Sequence, residues 1–280
     1  MKLRTTFIVQ TPCLLMVFAP HCRAASEVEL NTILMNSTFE IGGPSAIQPG
    51  KTTTGTAFIM IRPGKDDPLR GDYILITAAH VLDEISGDDA MLLLRKKEAN
   101  GFKTLPYPVA IRRNGVKLFV THPNADVAAM HAFLPTELNL KFLPIQYLAD
   151  DAALERVEVH PGDELFCLGF PLRIDFNGFP VLRTGTLASY PITPSKTVKQ
   201  YMFTFHIFPG NSGGPVYFSF TNRIHGGTMN LGAVDQGVIG LVSQQLSSSL
   251  PEYKDSPLDV AVVVPSSYIR ETITLVPGTP

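Results

Sequence analysis

The sequence predicts an all-β protein, and three observations carry that prediction. Apolar residues fall in runs of about four to eight, several alternating with polar ones at the period of a pleated strand. Glycine and proline are abundant, 22 and 23 of 280 residues, and well spread, as many short strands joined by turns require. Helical periodicity is confined to short stretches, with no internal repeat and no low-complexity tract.

Residues 1–25 read as a signal peptide. Lys2 and Arg4 form a basic start, Phe7 to Ala19 is mostly apolar, and Cys22-Arg23-Ala24-Ala25 offers a small-residue cleavage site. Gln10, Thr11 and Pro12 interrupt the apolar run and leave it too short to span a bilayer. The expectation is therefore export, to a secreted or periplasmic location, with no membrane attachment once the leader is removed; an N-terminal anchor or buried helix is the other reading. Cys167 is then the only cysteine, so no disulfide can form within the mature chain, and its apolar strand makes it an inert buried thiol.

The full chain is 45% hydrophobic and 17% charged, ample for a large core. A net charge of -2 and the lack of a basic run argue against a nucleic-acid partner. The sequence does not give an oligomeric state.

In chain order, Asn36 to Gln48 is polar and turn-rich, and Gln48-Pro49-Gly50-Lys51 turns into a strand at Thr52 to Arg62. Pro63 to Pro68 is a hairpin loop, followed by the β-rich run Asp72 to Leu82 and a single helical turn over Val81 to Ile85. Met91 to Lys96, Leu105 to Ile111 and Leu118 to His122 are further strands. Ala149 to Leu154 carries a short helix. Later strands are expected near Leu165 to Gly169, Thr184 to Tyr190, Tyr201 to Phe205, Val216 to Phe220, Val238 to Ser243 and Asp259 to Val264. Ser266 to Leu275 is a helix that Ser266 or Ser267 can cap, with Tyr268, Ile269 and Ile273 on one apolar face.

The stretch richest in chemical meaning is Phe208-Pro209-Gly210-Asn211-Ser212-Gly213-Gly214-Pro215. A serine between glycines can sit on a tight turn where no Cβ blocks a substrate and backbone N–H groups converge. A plain Gly/Pro loop is the other reading. A nucleophile elbow of the α/β-hydrolase kind needs a helix after the serine and a late histidine, whereas an alternating run from Val216 follows and only His225 lies beyond. Upstream, Thr77-Ala78-Ala79-His80 ends a β-rich run in small residues and a histidine, and Asp126-Val127-Ala128 sets a carboxylate at the start of an apolar segment.

Together these segments resemble the chymotrypsin-like (trypsin-like) serine peptidases, whose order is His, Asp, Ser. The resemblance covers about residues 35 to 275. It is strongest to the bacterial branch of HtrA-type and glutamyl-endopeptidase-type enzymes, through Gly55-Thr56-Ala57-Phe58-Ile59, Pro161 to Pro171 and Val264-Pro265-Ser266. It implies two six-stranded Greek-key β-barrels with the active site between them and a short C-terminal helix. The peptidase domain would span 26–280: a first barrel at about 35–137, a linker at about 138–162, a second barrel at about 163–265 and the helix at about 266–275. The few residues after Ile273 leave no room for the PDZ domain that HtrA proteins usually carry.

The resemblance also implies roles. His80 is the general base, Asp126 orients it, Ser212 is the nucleophile, and the backbone N–H groups of Gly210 and Ser212 form the oxyanion hole. Ser243 matches the strand that pairs with the substrate backbone. His206 falls at the base of the primary specificity pocket, where trypsin has an aspartate, so preference for Lys or Arg is not expected; a core histidine is the alternative. Asn211 replaces the aspartate that pairs with a new N-terminus in zymogen-activated relatives, so activity is expected without such cleavage. His122 and His131 lack metal-ligand spacing with a third ligand, and His160 and His225 lie among turn residues, so structural or solvent roles are expected for all four. Protein or peptide substrates are expected, with no metal and no cofactor. The competing class is a catalytically idle member of the same fold that binds proteins.

Overall fold

A computed structural model describes residues 29–64, 71–138, 140–221, 223–225, 228–229, 234–247 and 257–278. The expected signal peptide and most of the Pro63 to Pro68 loop lie outside the described residues. Helix α1 (Leu30–Ser37) comes first, its Thr32 N–H donating to the Glu29 carboxylate at 2.8 Å. Strands β1 (Thr38–Pro44), β2 (Thr52–Pro63) and β3 (Gly71–Thr77) follow, then α2 (Ala79–Asp83), β4 (Asp89–Glu98) and β5 (Gly101–Ala110). A small hairpin, β6 (Arg112–Arg113) with β7 (Val116–Lys117), precedes β8 (Val120–Thr121) and β9 (Ala128–His131). The order in the sheet is β5-β4-β1-β2-β3-β9-β8, and β10 (Leu143–Pro144) adds to β2 in parallel.

After α3 (Asp151–Arg156), the second sheet takes β11 (Glu164–Gly169), β12 (Val181–Thr186), β13 (Tyr201–Phe203) beyond α4 (Ser195–Val198), and β14 (Pro215–Thr221). The hairpin β15 (Ile224–His225) with β16 (Thr228–Met229) stands outside it, and β17 (Val234–Ser247) and β18 (Pro257–Pro265) complete the order β12-β11-β14-β17-β18-β13. Helix α5 (Ser266–Leu275) closes the chain. Each sheet curls on itself, which gives the expected double-barrel architecture. The first has six strands of four residues or more, β8 and β10 being two-residue additions.

Of the turn-rich segment expected at 36–48, only 45–48 lies in a turn; the rest is the end of α1 and the whole of β1. Phe39 and Ile41 are fully buried on it, and it pairs with β2 from Thr38 opposite Phe58 to Pro44 opposite Thr52. Two glycines and a proline at its end hide the alternation from sequence reading. Helix α5 has the expected limits and apolar face, but neither serine caps it. Ser266 Oγ donates to Ala149 O and Ser267 Oγ accepts from Ser195 Oγ at 2.8 Å, so both hydroxyls are spent on holding the helix to neighbouring segments.

The core does not divide cleanly between the sheets. Phe58, Ile59 and Met60 of β2 belong to the same buried cluster as Leu168, Tyr217, Val238 and Leu241 of the second sheet and Ile269 and Ile273 of α5. A second cluster around Val216, Phe218, Ile239 and Val263 fills the other side of the second sheet. Cys167 is buried there, and burial pushes its thiol up to about 12. No helix among the described residues is long and apolar enough to cross a membrane.

Candidate active site

The end of β3 is tied down before the histidine is reached. Thr77 Oγ1 donates to Thr56 O at 2.7 Å, Ala78 is extended and fully buried, and α2 starts at Ala79, so His80 projects from a first helical turn rather than from the strand itself. Asp126 occupies the turn between β8 and β9, where His122 N–H donates to Val127 O at 2.9 Å and Val127 N–H to Ala125 O at 2.9 Å. One carboxylate oxygen accepts the His80 backbone N–H at 3.0 Å and the other the ring Nδ1 at 2.7 Å. Ser243 Oγ donates to that second oxygen at 2.6 Å.

This grip decides the tautomer. With Nδ1–H donated to the carboxylate, the neutral ring keeps its lone pair on Nε2. Burial alone would lower the His80 pKa, but the hydrogen bond and charge of Asp126, helped by Glu84 and Asp83, outweigh it and raise the pKa above the ordinary value. Burial would likewise raise Asp126, and the bonds from His80 and Ser243 instead hold it below the usual carboxylate range.

Ser212 sits in a turn fixed on all sides. Thr56 N–H donates to Ser212 O at 2.8 Å, Gly213 N–H to Val242 O at 2.7 Å, and Gly214 N–H to Asn211 O at 3.0 Å. The turn requires glycine at two places. Gly210 has φ +100° and a Cβ there would stand 2.1 Å from Phe170 O, while Gly213 has φ +86° and a Cβ 2.1 Å from Thr56 O. The Ser212 hydroxyl donates to Ser243 O at 3.1 Å, and among the described residues no hydrogen bond joins it to His80. Both side chains nevertheless line one cleft of about 860 Å³, together with Asp126 and Ser243.

Among the described residues, neither the Gly210 N–H nor the Ser212 N–H has an acceptor, whereas the Asn211 N–H between them donates to Phe208 O at 3.1 Å. The Asn211 side chain is buried, and neither of its polar atoms has a hydrogen-bond partner among the described residues. Two free donors, one on the serine itself and one two residues before it, are what a developing oxyanion would need.

His206 does not line the cleft. Its Nδ1 pairs with Asp259 Oδ1, and its ring packs 4.4 Å from that of Phe208. The adjoining wall is formed by Ile207, Phe208, Val262 and Val264, with Gln244 and Gln245 beside Ser243. Sequence reasoning missed these residues. Val262 and Val264 lie in the continuous apolar run Val260 to Val264, where no alternation marks one face. Of the other histidines, His122 Nε2 meets Glu271 at 3.2 Å, His131 Nε2 donates to Pro277 O at 2.7 Å, and His160 lies 3.4 Å from Asp163.

Residues 55–226, well over half of the chain, match the family model for a trypsin-like peptidase domain. No curated protein matches the sequence. Among solved structures, the HtrA-type protease AlgW with a tripeptide is similar at 15% identity and TM-score 0.50, covering 87% of this chain and 60% of that one. A variant of AlgW with a decapeptide gives 14% identity and TM-score 0.50, covering 88% and 64%. This chain thus spans less than two thirds of either AlgW structure. The active form of the Rv3671c protease from M. tuberculosis gives 16% identity and TM-score 0.48 over 90% of this chain and 86% of that one. At these identities the likeness is one of fold.

Proposed function

The chain belongs to the trypsin-like peptidase domain family, and from that membership we propose that it is a serine endopeptidase working through His80, Asp126 and Ser212. The observation that carries this reading is the double grip of Asp126 on His80, through the backbone N–H and the ring Nδ1, at the edge of the cleft that Ser212 also lines. A carboxylate so placed leaves Nε2 free to accept a proton.

The Ser212 hydroxyl leaves Ser243 O by rotation about its own Cα–Cβ bond and gives its proton to His80 Nε2 as Oγ attacks the scissile carbonyl. The Gly210 and Ser212 N–H groups hold the oxyanion. The imidazolium, stabilised by Asp126, then protonates the leaving amine, and water repeats the sequence to release the acyl group. Ser243 has two parts: its hydroxyl steadies Asp126, and its backbone belongs to the strand along which a peptide substrate lies. The HtrA-type structures with a tripeptide and a decapeptide support peptides as the substrate class.

Labelling with a fluorophosphonate tests the reading. Wild-type protein is expected to form a covalent adduct on Ser212, and Ser212→Ala to lose both the adduct and hydrolysis, the latter by about 10⁶-fold. A folded wild-type protein that stays unlabelled while binding a protein partner tightly would establish the idle binding module instead.

A further inference from the structure

The segment joining β11 to β12 continues from the second sheet but is fastened to the first at three points. Phe170 N–H donates to Thr56 Oγ1 of β2 at 3.2 Å. Arg173 Nε donates to Glu40 Oε1 at 3.0 Å, and Glu40, on β1, is only 4% exposed. Arg95 of β4, 3% exposed, donates to Gly178 O at 2.7 Å while its guanidinium lies 4.5 Å from the ring centres of both Phe39 and Phe179. At the Arg173 fastening, Leu172 and Arg173 both take left-handed backbone conformations, φ +52° and +61°, which non-glycine residues hold only where their surroundings impose them.

The left-handed turn has a visible consequence. Leu172 N–H donates to Pro209 O at 2.7 Å. The Pro209–Gly210 peptide is trans, so its N–H points opposite to its carbonyl, away from Leu172. From the other side Thr56 Oγ1 donates to Gly210 O at 2.6 Å. Asn211, buried beneath the turn with an unpartnered amide, supplies no charge that could fix it.

We propose that Arg173 is a positioning residue: its ion pair with Glu40 across the two sheets holds the Leu172–Arg173 turn, and that turn keeps the Pro209–Gly210 peptide in the orientation that offers the Gly210 N–H to the substrate oxygen. This rests on the serine-peptidase reading above. It assigns to an inter-barrel ion pair the task of keeping one oxyanion donor in place.

The test begins with fluorophosphonate titration of wild-type protein, because a failure to label there removes the peptidase reading itself and not this refinement. Given a labelled wild type, Arg173→Ala and Glu40→Gln should each lower kcat by about 10²- to 10³-fold, the cost of one lost oxyanion donor, with KM changed less than about threefold. A peptide aldehyde, whose adduct needs the same donor, should lose affinity by the same factor. The double variant should be no worse than either single one, and Arg173→Lys should recover part of the rate. If Arg173→Ala fails to melt cooperatively, Glu40→Gln and Arg173→Lys decide. The proposal is overturned if folded Glu40→Gln keeps kcat within about twofold of wild type, or if the two substitutions add independently.

Discussion

At the scale of single residues, the His80 and Asp126 pair sets a pH dependence whose sign can be worked out. Asp126 favours the protonated ring, so His80 keeps its proton to a higher pH than an ordinary histidine. In the proposed mechanism the neutral ring is the form that takes the proton of Ser212. Peptidase activity should therefore fall as pH drops through a value above the ordinary 6.5. Asp126→Asn removes the favouring charge and the tautomer lock, so the acidic limb of kcat/KM should move to lower pH while the plateau drops by about 10⁴-fold. Profiles recorded from about pH 5 to 9 check this, and an acidic limb that stays put in the variant would show that His80 does not govern it.

His80, Asp126 and Ser212 could be picked out of the sequence because each sits in a short local signature: small residues before the histidine, an apolar segment after the aspartate, glycines around the serine. Their convergence, which depends on β3, the β8–β9 turn and the β14 approach, came only with coordinates. The bond from Ser243 to Asp126 was hidden for a further reason. The register between β17 and β18 shifts between Val242 and Gln244, a bulge that turns Ser243 out of the regular ladder toward the carboxylate. Nothing in the order of residues announces a bulge.

At the scale of elements, β18 and the turn before Ser212 supply much of the apolar lining of the cleft, and under the proposed function they would select the side chain it accepts. Ile207 of the turn and Val262 and Val264 of β18 give an apolar wall, while His206 is occupied with Asp259 outside it. The sequence pointed to position 206 through its place six residues before Ser212 in the family resemblance and left its neighbours unread, since which face of a strand looks into a cleft is set by register. An aliphatic side chain on the acyl side of the scissile bond is the expected preference. A peptide library should therefore return Val, Ile, Leu or Ala at that position. A profile dominated by Lys, Arg, Asp or Glu would show that another group reaches the wall. Strand β1 teaches the same lesson from the opposite direction. Its glycines and proline mimic a loop, yet it carries Glu40, whose partner Arg173 is 133 residues away and invisible to local reading.

At the scale of the whole molecule, the two sheets hold together without a disulfide, so the join must be made by packing and by α5. Tyr268, Ile269 and Ile273 of α5 sit in the buried cluster shared by both sheets. Arg62 at the end of β2 donates to the carbonyls of Ile273, Val276 and Pro277 at 3.3, 2.7 and 2.8 Å, and Asp72 holds it at 2.6 Å. A charged donor thus adds to the cap that Val276 N–H places on Ile273 O and ties the two residues beyond the helix to β2. Because the shared cluster crosses between the sheets, unfolding should be a single cooperative transition, unmoved by reductant because Cys167 is the only described cysteine and has no disulfide partner. Arg62→Ala should lower stability by about 2 kcal/mol, or roughly 4–8 °C in melting temperature, since each lost charge-assisted bond contributes of order 1.5–3 kcal/mol and water replaces part of it at the surface. Differential scanning calorimetry checks both expectations. Two separate transitions, with only the earlier one moved by Arg62→Ala, would mean that the barrels fold independently and that α5 merely decorates one of them.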